Sequence, residues 1–145
     1  MIRVQTEDFH LQTEYEQLQK HGHSGAIVTF VGSVRDFGGE GSFRLDHYPG
    51  MTEKVLEKIE QQANQRWDLI STTIIHRVGN LAAGDQIVFV GVSSRHRKNA
   101  FAACEYMIDI LKTQAPFWKK EGDTWVDAKE SDSEAADKWL SHSQP

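Results

Sequence analysis

Strand signals in this chain come in adjacent pairs separated by helices, and that order is what most limits its fold. The run Gly25-Ala-Ile-Val-Thr-Phe-Val-Gly32 is β-branched and apolar and reads as a buried strand, and Phe43 to Tyr48 follows as a second strand with alternating polarity. Thr72 to Val78 and Gln86 to Ser93 (QIVFVGVS) form the next pair, and Phe117 to Lys120 and Thr124 to Ala128 the last, joined by a turn at Gly122-Asp123. A short strand, Ile2 to Val4, opens the chain.

Between the pairs lie helices. Leu11 to Lys20 is polar and helix-prone, with Leu11, Tyr15 and Leu18 along one face. Met51 to Trp67 repeats Val55, Ile59 and Ala63 every fourth residue, which predicts an apolar stripe. Ser94 offers an N-cap for a second long helix, Arg97 to Thr113, whose expected core stripe is Phe101, Cys104, Ile108 and Leu111. Pro116 stops it. Ser131 and Glu134 have capping-box spacing and open a final helix to about Leu140, leaving Ser141 to Pro145 as a frayed tail. Gly79-Asn80 and Gly84-Asp85 read as turns, and the segment from Arg35 to Gly41, with three glycines in seven residues, as a mobile loop. Paired strands between helices favour an α+β fold over a doubly wound parallel one: a largely antiparallel sheet with two long helices packed on it. The 145 residues contain no linker, repeat or low-complexity tract, so one domain over 1–145 is expected.

Several function classes fall away. The formal net charge of -5 argues against a general nucleic-acid binder. No apolar run approaches the ~18 residues that span a bilayer, and the first ten residues, MIRVQTEDFH, lack the pattern of a signal peptide. Cys104 is the single cysteine, so no internal disulfide can form, which fits a reducing cytoplasm. There is no P-loop, no dinucleotide-binding glycine pattern and no cysteine pair for zinc; His21 and His23 stand in a polar turn with no third ligand nearby in sequence. Cys104 lies on an apolar helical stripe, where a free cysteine behaves as a small hydrophobe.

Against an acidic background the basic clusters stand out: Arg95-His96-Arg97-Lys98, Lys112, and Lys119-Lys120, with acidic residues dense from Glu121 to Asp137. The first lies where a strand ends and a helix begins, and free backbone N–H groups there favour an anion; a solvated basic turn is an equal reading. Lys112, near a helix C-terminus, has an ordinary role as a dipole partner. Lys119 follows the apolar stretch Ala115-Pro-Phe-Trp118, where partial desolvation would bring its pKa down towards the range useful in proton transfer. Arg35 stands just after a buried strand at the edge of the glycine-rich loop, placed to become another anion ligand.

Four motifs, His47-Tyr-Pro-Gly-Met-Thr52, Ile75-His-Arg-Val-Gly79, Val88 to Ser93 with Arg95-His-Arg97, and Leu111-Lys-Thr-Gln-Ala-Pro-Phe-Trp-Lys119, together resemble the large subunit of molybdopterin synthase, in the same order from about Gly25 to Trp139. The resemblance implies a hammerhead-like α+β fold and a sulfurtransferase that converts cyclic pyranopterin monophosphate to molybdopterin. The donor would be the thiocarboxylated C-terminus of a small ubiquitin-like subunit, and no metal or redox cofactor would take part. It also implies a homodimeric core with a small subunit at each end. The family's catalytic lysines match Lys112 and Lys119, its pocket arginine Arg35, and its His-Arg pair His96 and Arg97. Lys120 and Glu121 fall in the substrate-contacting stretch. Ser33 stands where a basic residue is frequent, and Lys129 where some members have arginine; Phe30 and Val34, on the segment leading to Arg35, complete the candidates. Two other functions use the same residues: a non-catalytic module that docks an extended C-terminal tail, and a phosphate-ester hydrolase built on His96, which no carboxylate or metal cluster supports.

Overall fold

A computed structural model describes residues 1–35, 43–122, 124–126 and 130–141. The elements are β1 (Ile2–Gln5), α1 (Leu11–Gln19), β2 (Ala26–Ser33), β3 (Phe43–His47), α2 (Met51–Arg66), β4 (Ser71–Arg77), β5 (Gly79–Leu81), β6 (Gln86–Ser94), α3 (Arg97–Gln114), β7 (Phe117–Glu121), β8 (Thr124–Val126) and α4 (Glu130–Ser141). The α+β class and the two long helices are as the strand and helix signals predict. The strands divide over two sheets, in the orders β1-β4-β6-β2 and β5-β3-β7-β8, and every pairing is antiparallel except β1 with β4.

The first sheet is covered on both faces, which explains why β6 reads as an unbroken apolar run. Successive residues point to opposite sides. Ile74, Val88, Val90 and Val92 therefore pack under α2 and α3, while Ile75 and Phe89 meet Phe9 and Leu18 on the α1 side. The second sheet closes a smaller core of Val34, Phe43, Leu45, Val78 and Leu81.

Four expectations are corrected. Phe101 is not in the core: it is 60% exposed, and the helix approaches the sheet through Ala100, Ala103, Cys104 and Met107 instead. Small side chains let the backbone come close, and Phe101 falls just outside that stripe. On α1, Leu11 and Tyr15 are exposed, and the buried pair is Glu14 and Leu18, because Glu14 is tied to Arg3 of β1 by an ion pair. Gly79-Asn80 is not a turn but the start of β5, paired with Phe43 to Leu45. Gly79 takes φ +93°, which lets the chain bend out of β4 into the second sheet.

The His47–Thr52 motif is a local lock between β3 and α2. The buried Thr52 Oγ1 accepts the Tyr48 N–H at 3.1 Å and donates to the Tyr48 carbonyl at 2.8 Å, while Glu53 accepts the Gly50 N–H at 3.0 Å. Ser94 is not the N-cap of α3. His96 holds that position without a side-chain cap, and Ser94 Oγ instead accepts the His96 N–H at 3.5 Å.

At the far end of the chain, α4 is held to the helix layer by aromatic rings. Trp67, Tyr106 and Trp139 meet edge to face, with centroids 5.4 to 5.7 Å apart. The Arg66 guanidinium lies over all three, closest to Tyr106 at 4.8 Å. Trp139 Nε1 donates to Asp109 of α3 at 2.7 Å, and Lys138 pairs with Glu105.

Candidate active site

Strand β7 carries the site. Its register on β3 sets Phe117 opposite His47, Lys119 opposite Leu45 and Glu121 opposite Phe43. Directly paired residues share a face. Leu45 and Phe43 are buried, so Phe117, Lys119 and Glu121 look to the core side of the sheet. Trp118 and Lys120 look the other way, Trp118 against Tyr48 at 5.7 Å and the Lys120 ammonium over Trp125 at 5.5 Å. The adjacent lysines thus serve opposite faces, and Glu121 is the one that shares the face of Lys119.

Lys119 keeps contact with solvent, yet its pKa lies below the ordinary lysine value. Partial desolvation is the main cause and the positive charge of Lys112 the next. Asp132 opposes the shift, Arg35 adds to it, and Glu121 opposes it more weakly. One lysine therefore feels charges from the last turn of α3, the end of β2 and the first turn of α4. The Lys112 ammonium lies 3.8 Å from an Asp132 carboxylate oxygen.

The position of Arg35 follows from β2. The pairing of β2 with β6 slips between Gly32 and Ser33, and a bulge of this kind re-aims the residues after it. Val34 is buried, and its N–H and C=O bond Asp85 and Gly84, both at 2.8 Å. Val34 is thereby a pin that fixes the strand end; Ser33 and Arg35 on either side are exposed, and Phe30 packs against the helix-side core. Lys129 lies outside the described residues.

Close to Lys119 lies a histidine of the Ile75–Gly79 segment. His76 is buried and stacks on Phe117, with centroids 3.9 Å apart and planes 19° from parallel. Its Nδ1 lies 2.9 Å from the Arg77 carbonyl. A carbonyl only accepts, so Nδ1 carries the proton and Nε2 is bare. Burial pushes the His76 pKa down to about 4, against the backbone hydrogen bond and with help from Lys119 and His47. A neutral ring thus supports the strand that bears the lysine. In the sequence it is one polar residue among several on β4 (STTIIHR), so only its burial and its ring contact set it apart.

His96 and Arg97 are elsewhere. They open α3, with Arg95 and Lys98 also exposed, and their side chains make no ion pair or hydrogen bond among the described residues. Lys112 follows Arg97 by fifteen positions on one straight element, about 22 Å at ~1.5 Å per residue. Within one chain the two basic groups do not converge.

Cys104 takes no part in this cluster. It is 4% exposed with Sγ 3.7 Å from the Val90 carbonyl, and burial, assisted by Glu105, pushes its pKa up to about 12. The thiol stays protonated and is a poor nucleophile. Cys104→Ala is expected to cost on the order of 1 kcal/mol of stability and to leave activity per folded molecule near wild type. Trapping of a persulfide on Cys104 during turnover would contradict this. Among the described residues, no three His, Cys, Asp or Glu side chains gather as metal ligands, His21 and His23 included.

Comparison with known proteins gives the same answer from three directions. The family model described as MoaE protein matches residues 4–114. The molybdopterin synthase catalytic subunit of Vibrio cholerae is 52% identical, covering 95% of this chain and 97% of that one, and its namesake from Escherichia coli is 48% identical with the same coverage. Among solved structures, the molybdopterin biosynthesis MoaE protein from Burkholderia ambifaria MC40-6 superposes with a TM-score of 0.84 at 50% identity, covering 96% of this chain and 97% of its own. A family match over most of the chain, joined to near-half identity along nearly its whole length, means that the chain belongs to the MoaE protein family.

Proposed function

We propose that this protein is the catalytic subunit of a molybdopterin synthase, a sulfurtransferase that converts cyclic pyranopterin monophosphate to the dithiolene molybdopterin. The sulfur donor is the C-terminal thiocarboxylate of a small ubiquitin-like partner. The observation that carries the reading is the meeting of Lys112, Lys119 and Arg35 from three separate elements, with Lys119 held below the ordinary lysine range by its surroundings. Both reactants are anionic, one a phosphate and the other a thiocarboxylate. Arg35 and Lys112 bind and orient them. The thiocarboxylate sulfur bonds to a carbonyl-level pterin carbon, whose oxygen leaves as water. A second water then adds to the resulting thioester, so that the sulfur stays on the pterin and the partner's tail departs as a carboxylate. Lys119, carrying its proton, stabilises the oxygen on which negative charge grows as that water adds, and its lowered pKa eases proton delivery to the departing sulfur. Glu121, on the same face, orients this lysine, and Lys120 serves the outer rim.

The working assembly is a dimer of this chain with one small subunit at each end, a cytoplasmic heterotetramer. The α3 geometry supports it: His96 and Arg97 reach a pocket only if that pocket belongs to the other copy. Phe101, 60% exposed one turn from Arg97, gives this end of α3 an apolar contact for the second copy to cover. A two-fold axis then yields two equivalent shared sites. No helix among the described residues is long and apolar enough to cross a membrane, in keeping with that setting.

The direct test is incubation of the purified protein with cyclic pyranopterin monophosphate and a thiocarboxylated small subunit. Formation of a dithiolene pterin is expected; tail binding without any sulfur transfer would leave only a docking module. Sharing of the site is tested by complementation. Arg97→Ala and Lys112→Ala should each be nearly inactive alone. Mixed and re-associated, half of the dimers are hybrids with one intact site in two, so about a quarter of wild-type activity should return. Hybrids that form but remain inactive would mean the groups act within one subunit.

A further inference from the structure

Helix α4 places a carboxylate where its pattern calls for an apolar residue. Asp132, Ala136 and Trp139 follow at i, i+4 and i+7, the spacing of one helix face. Ala136 is buried, and Trp139 is locked into the ring cluster with Trp67 and Tyr106 and bonded to Asp109. The face therefore turns towards α3, and Asp132 turns with it. Its side chain is 20% exposed and lies 3.8 Å from the Lys112 ammonium, itself 45% exposed. A helix terminus does not require this arrangement. An acidic residue serving only the helix dipole can point to water.

We propose that Asp132 is a resident counter-ion of the lysine pocket: a positioning and specificity residue that holds Lys112 towards Lys119 in the empty site and is displaced by the oxyanion of a ligand. The inference rests on the reading that this pocket takes anionic groups, and it adds what happens when none is bound. Two like-charged ammoniums near one another repel, and without an opposing charge their flexible side chains would spread into solvent. The carboxylate offsets that repulsion and keeps both donors in place. It also sets a threshold. A ligand must offer more than one carboxylate's worth of charge and hydrogen bonding to take its place, which favours a phosphate, or a phosphate together with a thiocarboxylate, over a simple carboxylic acid. The opposing influence of Asp132 on the Lys119 pKa agrees with this placement.

The test uses the whole protein and inorganic phosphate as the probe, so it needs no turnover and stays separate from the proof of sulfur transfer. Asp132→Asn keeps the shape and removes the charge. Calorimetry should show phosphate binding about five-fold tighter than in wild type, the factor expected for one unit charge at about 4 Å in water. Adding Lys112→Ala to that variant should cancel the gain. NMR titration of the lysine ammonium groups should show the Lys119 pKa lower in Asp132→Asn, and Asp132→Glu should restore it. Glu134→Gln removes the same charge from an exposed position on the same helix and should change neither reading. Binding that is unchanged or weaker in Asp132→Asn, or an equal effect from Glu134→Gln, overturns the proposal. A further measurement needs no variant. In wild-type protein the Asp132 carboxylate carbon signal should move as phosphate saturates the site, and a fixed Asp132 signal beside moving lysine signals would also overturn it.

Discussion

Lys119→Ala should reduce sulfur transfer by roughly 10²- to 10⁴-fold, the range supplied by a positioned acid–base group, while leaving the fold and the binding of the small subunit nearly intact. The side chain lies on the core-facing side of β7 between Phe117 and Glu121 but keeps solvent contact, so its removal opens no cavity in either core. The loss should fall on kcat, because the interaction strengthens as charge develops on the reacting oxygen. Lys112→Ala should act differently, raising KM as well, if that lysine holds a ground-state anion as proposed. Lys119→Arg keeps the charge but replaces a compact ammonium with a planar fork that does not release a proton near neutral pH, so it should recover only a small part of the rate. Single-turnover kinetics with a thiocarboxylated donor would measure both steps, and a Lys119→Ala rate within a few-fold of wild type would remove this lysine from the chemistry.

The second large effect concerns stability and pH. His76 has a folded-state pKa near 4 against an ordinary value of 6.5. The unfolded chain therefore binds a proton more readily than the folded one, and the ring's contribution is fully present above about pH 6.5 and lost as pH falls towards 4. The shift corresponds to about 3 kcal/mol in all, of which about 2 kcal/mol is gone by pH 5. His76→Phe keeps a ring on Phe117 and removes the titration. Its stability should fall less steeply between pH 7 and pH 5, and the difference between wild type and variant in denaturant unfolding isolates this one group from the carboxylates. Parallel pH curves for the two proteins would show that His76 takes up its proton without cost in the folded state.

Much of this architecture was legible in the sequence because it rests on local periodicity. The alternation in Phe43–His47, the fourfold repeat in Met51–Arg66 and the β-branched run of Gln86–Ser94 each stand out within a few residues. What escaped depends on distant partners. Strand β5 is three residues long, too short to show a period, and is defined by its pairing with Phe43–Leu45. Phe101 looked like core because an apolar ring fits a helical stripe, but Ala100 and Ala103 already fill that side. Leu11 and Tyr15 looked like the inner face of α1 because the partner that draws Glu14 inward, Arg3, lies eleven positions back on another element. The candidate site divides the same way. Lys112, Lys119 and Arg35 came from motifs, and they do influence one another electrostatically. Asp132 and His76 could not be singled out, since one acquires its role from an ion pair twenty positions back and the other from a ring stacked across two sheets.

The ring cluster around Arg66 sets a hierarchy of motion. The sheet under α2 and α3 is buried on both faces, and its opening requires the whole core to come apart. Helix α4 sits at the edge of that core, fastened through Ala136, through Trp139 with its ring contacts and its bond to Asp109, and through the Lys138–Glu105 pair. An element attached at the edge of a core detaches at lower free energy than the body it rests on. Fluctuations at the Lys112 end of the pocket therefore do not require global unfolding. The Lys112–Asp132 ion pair can part and re-form many times during the life of a single folded molecule.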